Sequence, residues 1–212
     1  MTINTKTLAA IDIGTNAIRL FISNVEEYPT ETLFKKIAFL RVPIRLGEDV
    51  FTTGEIGQQK RKRLCETMQG FSYIMSAFNV ESYKAYATCA MREARNGKSV
   101  AEQIQKECDL NIEIISGTKE AETIFAGGMN EVVDDDKTYL YVDVGGGSTE
   151  VIVYSKSVKI EACSFPLGTV RMLNDAVDKE EMKHFKKWLK NITEKYTPDA
   201  IIGSGGNINK IH

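Results

Sequence analysis

Histidine is nearly missing from this chain: His184 and His212 are the two in 212 residues. That scarcity argues against a histidine-rich zinc centre and a Ser-His-Asp machine. Chemistry has to come from carboxylates, hydroxyls, arginines and backbone amides. Cysteine is sparse too. Cys65, Cys89, Cys108 and Cys163 include no Cys-x-x-Cys pair, and thiols so scattered read as buried and reduced. No sign of charge dominates: 27 Lys and Arg face 29 Asp and Glu, a formal net charge of −2. A duplex-binding protein normally carries a basic face, so no nucleic-acid partner is expected. No apolar run reaches the about 18 residues of a membrane span. The opening Met1-Thr2-Ile3-Asn4-Thr5-Lys6-Thr7 leads into a short apolar run holding Asp12, which does not read as a secretory leader. No membrane partner and a cytoplasmic location are the resulting expectations.

With 42% apolar residues the chain can bury a sizeable core, in one domain or two. Residues 8–13 read as an apolar strand running into the turn Gly14-Thr15-Asn16, with a returning strand over 18–25. Residues 33–46 are apolar and β-prone. From Thr53 to Phe78, Ile56, Leu64, Met68, Phe71, Met75 and Phe78 recur mostly at three or four, a helical period. A strand over 83–88, a helix over 99–108, a strand over 112–115 and a helix from Thr118 to Val133 follow. Asp134-Asp135-Asp136-Lys137 reads as a solvated turn. Residues 139–144 and 149–154 read as strands around Gly145-Gly146-Gly147-Ser148. Asp178 with Glu181 makes a capping-box-like start to a helix that turns Met182, Phe185, Leu189 and Ile192 inward. Residues 200–202 form a last strand before Gly203-Ser204-Gly205-Gly206-Asn207. Strands alternating with helices predict an α/β fold.

The informative feature is repetition. Residues 8–22 line up without gaps on residues 139–153, an offset of 143 − 12 = 131. Each copy is strand, Asp-x-Gly turn, strand. Two copies predict two similar lobes, residues 1–125 and 126–212, each presenting its turn to a shared cleft. A glycine-rich hairpin suits phosphate because glycine admits positive φ, so successive N–H groups can converge on an anion. Thr15 and Asn16, then Ser148 and Thr149, add side-chain donors. Asp12 and Asp143 end apolar strands, where a carboxylate is either satisfied by turn amides or aimed at hydrated Mg²⁺ between phosphates. Glu150 reads as a solvated carboxylate or as a metal ligand. Its counterpart Arg19 reads as a surface ion pair or as a phosphate fork.

Five ordered motifs carry a resemblance. They are Asp12-Ile13-Gly14-Thr15-Asn16, the run from Ala87 to Gly97, the run from Ile114 to Glu122, the run from Val142 to Glu150, and Gly203-Ser204-Gly205-Gly206-Asn207. Together they resemble the exopolyphosphatase / guanosine pentaphosphate phosphohydrolase family of the actin-like ATPase and sugar kinase superfamily. The resemblance implies two ribonuclease-H-like lobes, mixed sheets flanked by helices, around a phosphate-binding cleft. It also implies removal of the terminal phosphate of inorganic polyphosphate, or of the 5′ γ-phosphate of guanosine pentaphosphate, with Mg²⁺ and water. By the same resemblance Glu120 is the catalytic base. Phosphate contacts fall on Asp12, Gly14, Thr15, Asn16, Arg19, Arg92, Gly145, Gly146, Gly147, Ser148, Thr149 and Gly205, and the metal on Asp143 and Glu150. A homodimer is allowed.

Two departures stand beside the expected base. Lys119 replaces a commonly acidic residue and Glu122 a commonly basic one. Members also run longer than this chain, so the second lobe is expected to be incomplete. Polyphosphate needs a local basic path, for which Lys35, Lys36, Arg41, Arg45, Lys60-Arg61-Lys62-Arg63, Arg92 and Arg95 are candidates. The alternatives are a nucleotide-dependent kinase of the same superfamily and a non-catalytic sensor of polyphosphate or guanosine tetraphosphate.

Overall fold

The computed structural model describes residues 4–126, 134, 136–156, 158–206 and 208. The predicted helix end at Val133, Asp135 of the acidic turn, Asn207 of the last glycine run and His212 lie outside the described residues. The chain divides into two compact units, Met1–Ile114 and Ile115–His212.

In the first unit, β1 (Asn4–Ile13), β2 (Ile18–Glu27) and β3 (Thr32–Val42) form an antiparallel meander, and β4 (Ser82–Ala87) and β5 (Glu113–Ile114) extend it in parallel. The order is β3-β2-β1-β4-β5. Strand period explains one face: Ala9, Ile11 and Ile13 on β1, with Ile18, Leu20 and Ile22 on β2, all point into the core. Helix α2 (Gln58–Ala77) meets them with Leu64, Met68, Phe71 and Met75, an i, i+4, i+7, i+11 stripe, and α4 (Gly97–Cys108) with Val100 and Ile104. Each such side chain contributes roughly 1.5–3 kcal/mol by leaving water. The opposite face stays accessible. Arg19, Arg41 and Lys84 are exposed on it, and Phe39 keeps 55% of its surface.

The region after β3 differs from the reading as one strand over 33–46. Residues Leu46–Thr53 form helix α1, because Leu46 and Val50, one turn apart, both bury. The long helix accordingly starts at Gln58, not Thr53. A short helix α3 (Cys89–Glu93) follows β4.

In the second unit, β6 (Thr138–Val144), β7 (Thr149–Ser155) and β8 (Val158–Phe165) are antiparallel, β9 (Ala200–Ser204) lies parallel to β6, and the order is β8-β7-β6-β9. Both faces are covered. Helix α5 (Gly117–Ala126) sets Ala121 against Tyr139, Tyr141, Ile152 and Tyr154. Helix α7 (Lys179–Tyr196) sets Ile192, Met182, Phe185 and Leu189 against Leu140, Val151, Val153 and Phe165. Asp178 caps α7 by accepting the Glu180 N–H at 2.9 Å. A five-residue helix, α6 (Thr169–Leu173), connects β8 to this region. The division between units falls one helix earlier than the boundary expected at 125/126, because α5 packs on β7 and β8.

The repeat is thus longer than two strands. Meander, short helix, long helix, then a strand parallel to the first recur as β1-β2-β3-α1-α2-β4 and β6-β7-β8-α6-α7-β9. The fold class read from the sequence, α/β with two mixed sheets flanked by helices, holds.

Candidate functional site

In the first unit the β1–β2 turn closes with the Gly14 N–H donating to Ala17 O at 3.2 Å. A Cβ on Gly14 would stand 3.1 Å from that same oxygen, which favours glycine. The chain after β3 returns to the turn. Arg45 N–H donates to Asn16 O and Gly47 N–H to Thr15 O, both at 2.9 Å. Arg45 does this from the left-handed region, φ 60°, an uncommon state for a side-chain-bearing residue. A trans peptide points its N–H opposite its C=O, so the Asn16 and Ala17 N–H groups face away from this return. Thr15 is buried and Asn16 exposed.

Arg19 stands across from Asp12 in the β1–β2 register and binds it, Nη1 to Oδ2, at 2.5 Å. Burial raises the Asp12 carboxyl above its ordinary value, against the lowering pull of Arg19. The end of β4 lies beside the end of β1, with Thr88 N–H donating to Ile13 O at 3.2 Å. Helix α3 starts there and carries half-buried Arg92 in its last turn. The first unit therefore gathers Asp12, Gly14, Thr15, Asn16 and Arg19 in one hairpin and sets the α3 segment at its side.

In the second unit the equivalent turn is held more tightly. Gly145 N–H donates to Ser148 O at 2.9 Å, while Thr169 N–H reaches Gly145 O at 3.0 Å and Val170 N–H reaches Gly146 O at 2.8 Å. Thr149, expected as a phosphate contact, donates its buried hydroxyl to Leu167 O, which braces the turn from behind. Ser148 is buried as well.

Asp143 and Glu150 are direct cross-strand partners. By the two-residue period they share the sheet face of Tyr141 and Ile152, the face on which α5 packs. Glu150 is 2% exposed, and Ser164, its partner on β8, donates Oγ–H to Oε1 at 2.7 Å. Asp143 pairs with Ser204 of β9. A polar row Ser204–Asp143–Glu150–Ser164 therefore crosses all four strands. Burial holds the Tyr141 phenol above its ordinary value; a hydrogen bond with Ser204 opposes this, and the Asp143 and Glu150 carboxylates reinforce it. Gly205, at φ +95°, lies against this row, where a Cβ would stand 2.7 Å from Asp143 Oδ1.

Glu120 is half-buried in the first turn of α5. Ser116 starts that helix: its O accepts the Glu120 N–H at 2.9 Å and its Oγ the Lys119 N–H at 3.1 Å. Lys119 is exposed, and Glu122 pairs with Lys159 at 3.2 Å. Among the described residues no group of three or more His, Cys, Asp or Glu side chains is arranged to hold a metal. Two cross-strand carboxylates still suit Mg²⁺, which keeps several waters and uses one or two carboxylates plus phosphate oxygens.

Several basic-path candidates are engaged elsewhere. Lys35 pairs with Glu26, Arg45 with Glu48, Lys60 with Glu48 and Asp49, Lys62 with Glu66 and Arg95 with Glu55. Arg41 instead stands directly across from Arg19 in the β2–β3 register. Sequence reasoning missed Ser164, Gly168 and Arg171, which lie in a stretch that had no assigned role, and it quoted Ser204 within the last glycine run without giving that side chain a role.

Comparison with known proteins adds a family. A sequence model of the Ppx/GppA phosphatase family matches residues 21–208. A bifunctional 3-dehydroquinate synthase/phosphatase of Fusobacterium nucleatum is 32% identical over 168 residues, covering 77% of this chain and 25% of that protein. A putative exopolyphosphatase of Haemophilus influenzae is 28% identical over 167 residues, covering 79% of this chain and 50% of that protein. The chain thus spans a quarter to a half of these relatives. Among solved structures, an exopolyphosphatase from Cytophaga hutchinsonii superposes with a TM-score of 0.85 at 25% identity, over 97% of this chain and 69% of that one. A family member from Aquifex aeolicus gives 0.75 at 27% identity, over 97% and 68%.

Proposed function

The chain belongs to the Ppx/GppA phosphatase family, and from that premise we propose that it is a phosphohydrolase releasing the terminal phosphate of inorganic polyphosphate. One observation carries this reading. The carbonyls of the second glycine turn are occupied from behind, which turns its N–H groups outward beside the carboxylates of Asp143 and Glu150. Outward amides hold phosphate oxygens, and the paired carboxylates hold a cation. The name exopolyphosphatase on relatives and solved neighbours supports the choice of polyphosphate.

In this reading the turn at Gly14–Ala17, with Arg19, binds phosphate in the first unit, and the turn at Gly145–Ser148 binds phosphate in the second. Arg92 adds charge at the end of β4. When bound at Asp143 and Glu150, Mg²⁺ supplies charge neutralisation on the leaving side. Glu120 orients a water and accepts its proton as the water oxygen bonds to the terminal phosphorus and the bridging P–O bond breaks. Such transition states are loose, so positioning and electrostatics outweigh the strength of the base.

The test is free phosphate released by the chain with Mg²⁺ and polyphosphate, guanosine pentaphosphate or ATP. Release from polyphosphate without an acceptor supports the proposal. Preference for guanosine pentaphosphate moves the substrate, and release only with an acceptor makes the protein a kinase. Tight binding without turnover makes it a sensor.

A further inference from the structure

Between β8 and α6 the chain presses against the second glycine turn. A Cβ on Gly168 would lie 2.3 Å from Gly147 N, so nothing larger than glycine fits there. Thr169 N–H takes Gly145 O; Val170 N–H and Arg171 N–H share Gly146 O, at 2.8 and 3.2 Å. Gly147 O is taken by a side chain: Arg171 Nε–H donates to it at 3.0 Å. These trans peptides point the Gly146, Gly147 and Ser148 N–H groups the other way. Among the described residues none of those three N–H groups meets a protein acceptor. Arg171 itself is 9% exposed. In the first turn the carbonyls of Thr15 and Asn16 are held instead by the backbone N–H groups of Gly47 and Arg45.

We propose that Arg171 is a positioning residue for anion binding: by fixing the Gly147–Ser148 peptide through its bond to Gly147 O, Arg171 sets the second turn to receive a phosphate group. The inference rests on reading that turn as a phosphate cradle. Arginine suits the role because its planar fork is stiff and never loses its charge near neutral pH, whereas lysine offers a mobile point charge.

The experiment titrates the ¹⁵N-labelled chain with inorganic phosphate, small enough to occupy one turn at a time. Wild type, Arg171→Lys and Arg171→Met are compared by amide spectra, with melting curves alongside. In wild type the amides of Asn16 and Ala17 and those of Gly146, Gly147 and Ser148 are expected to shift. In Arg171→Met the second set should need about tenfold more phosphate, as befits loss of a charge-assisted bond, while the first set keeps its wild-type midpoint. Arg171→Lys should fall between. Wild-type midpoints for the second set in a folded Arg171→Lys or Arg171→Met overturn the inference and leave the cradle standing. If Arg171→Met does not fold, Arg171→Lys decides by the same criterion. No response from either set in wild type overturns the cradle itself, a distinguishable result.

Discussion

The two hairpins at Asp12–Arg19 and Asp143–Glu150 share strand pattern, turn and register, and they differ in the charge of one partner. Across the first sheet the row reads Tyr86–Asp12–Arg19–Arg41; across the second it reads Ser204–Asp143–Glu150–Ser164. The first row offers two exposed guanidiniums and one half-buried carboxylate. The second offers two carboxylates and two hydroxyls, with Glu150 enclosed under a covered face. Duplication of one backbone device has thus put two guanidiniums into one cross-strand row and two carboxylates into the other. The difference lies in what each sheet face packs against. A carboxylate pair needs fixed donors such as Ser164 to stay ionised when buried, whereas the arginines stay in water and need none.

If the second unit carries the chemistry, the largest effect should come from α5. Glu120→Gln is expected to lower turnover about 10²–10⁴-fold, the usual contribution of a placed general base. Polyphosphate affinity and melting temperature should hold. Near-normal phosphate release would remove the base and erase the functional contrast between the units. Next comes Ser164→Ala, which strips Glu150 of its donor. Loss of such an outer partner weakens metal binding by about 10–100-fold. The readout is the Mg²⁺ concentration that half-maximally raises the melting temperature; an unchanged midpoint would show that the row does not bind the cation.

The hairpins were legible in the sequence because their apolar residues alternate with a period of two, and α2 because Leu64, Met68, Phe71 and Met75 mark one helical face. Helix α1 was not, since Leu46 continues an apolar stretch and eight residues show little period. Strand β8 was not read either: it is an edge strand, and Val158 and Ile160 are exposed, which blurs its alternation. The glycine turns announced themselves by composition. The braces behind them did not, because they consist mainly of backbone bonds between segments more than twenty residues apart, as from Thr169 to Gly145. Ser164 and Ser204 reach the carboxylates only through strand register, which local sequence does not encode.

A smaller effect should separate the rows by pH. Burial raises the Asp12 carboxyl above its ordinary value of 3.8. Between that value and its raised one, the folded chain keeps a proton that the unfolded chain has released, so the contribution of Asp12 to stability falls as pH climbs through the window. Asp12→Asn removes this dependence. The melting temperature of Asp12→Asn minus that of wild type should therefore grow as pH rises upward from about 3.8. A difference that is flat across that range would mean that Arg19 fully offsets the burial.

The smallest effect sharpens the first row itself. Arg41 and Arg19 face each other across β2 and β3, and like charges directly opposite destabilise a sheet by about 0.2–1 kcal/mol. Arg19 already has Asp12, so Arg41 is the surplus cation. Arg41→Gln should raise the melting temperature by up to a few degrees at low salt, and the gain should shrink as salt screens the pair. The same change should weaken inorganic phosphate at the Asn16 and Ala17 amides while leaving the Gly146–Ser148 amides untouched. Stability and anion binding would then move in opposite directions at one residue, as expected where a charge is kept for a ligand and not for the fold. A variant that melts lower at low salt would show that Arg41 is held by the sheet, and the first row would lose its claim to be the anion side.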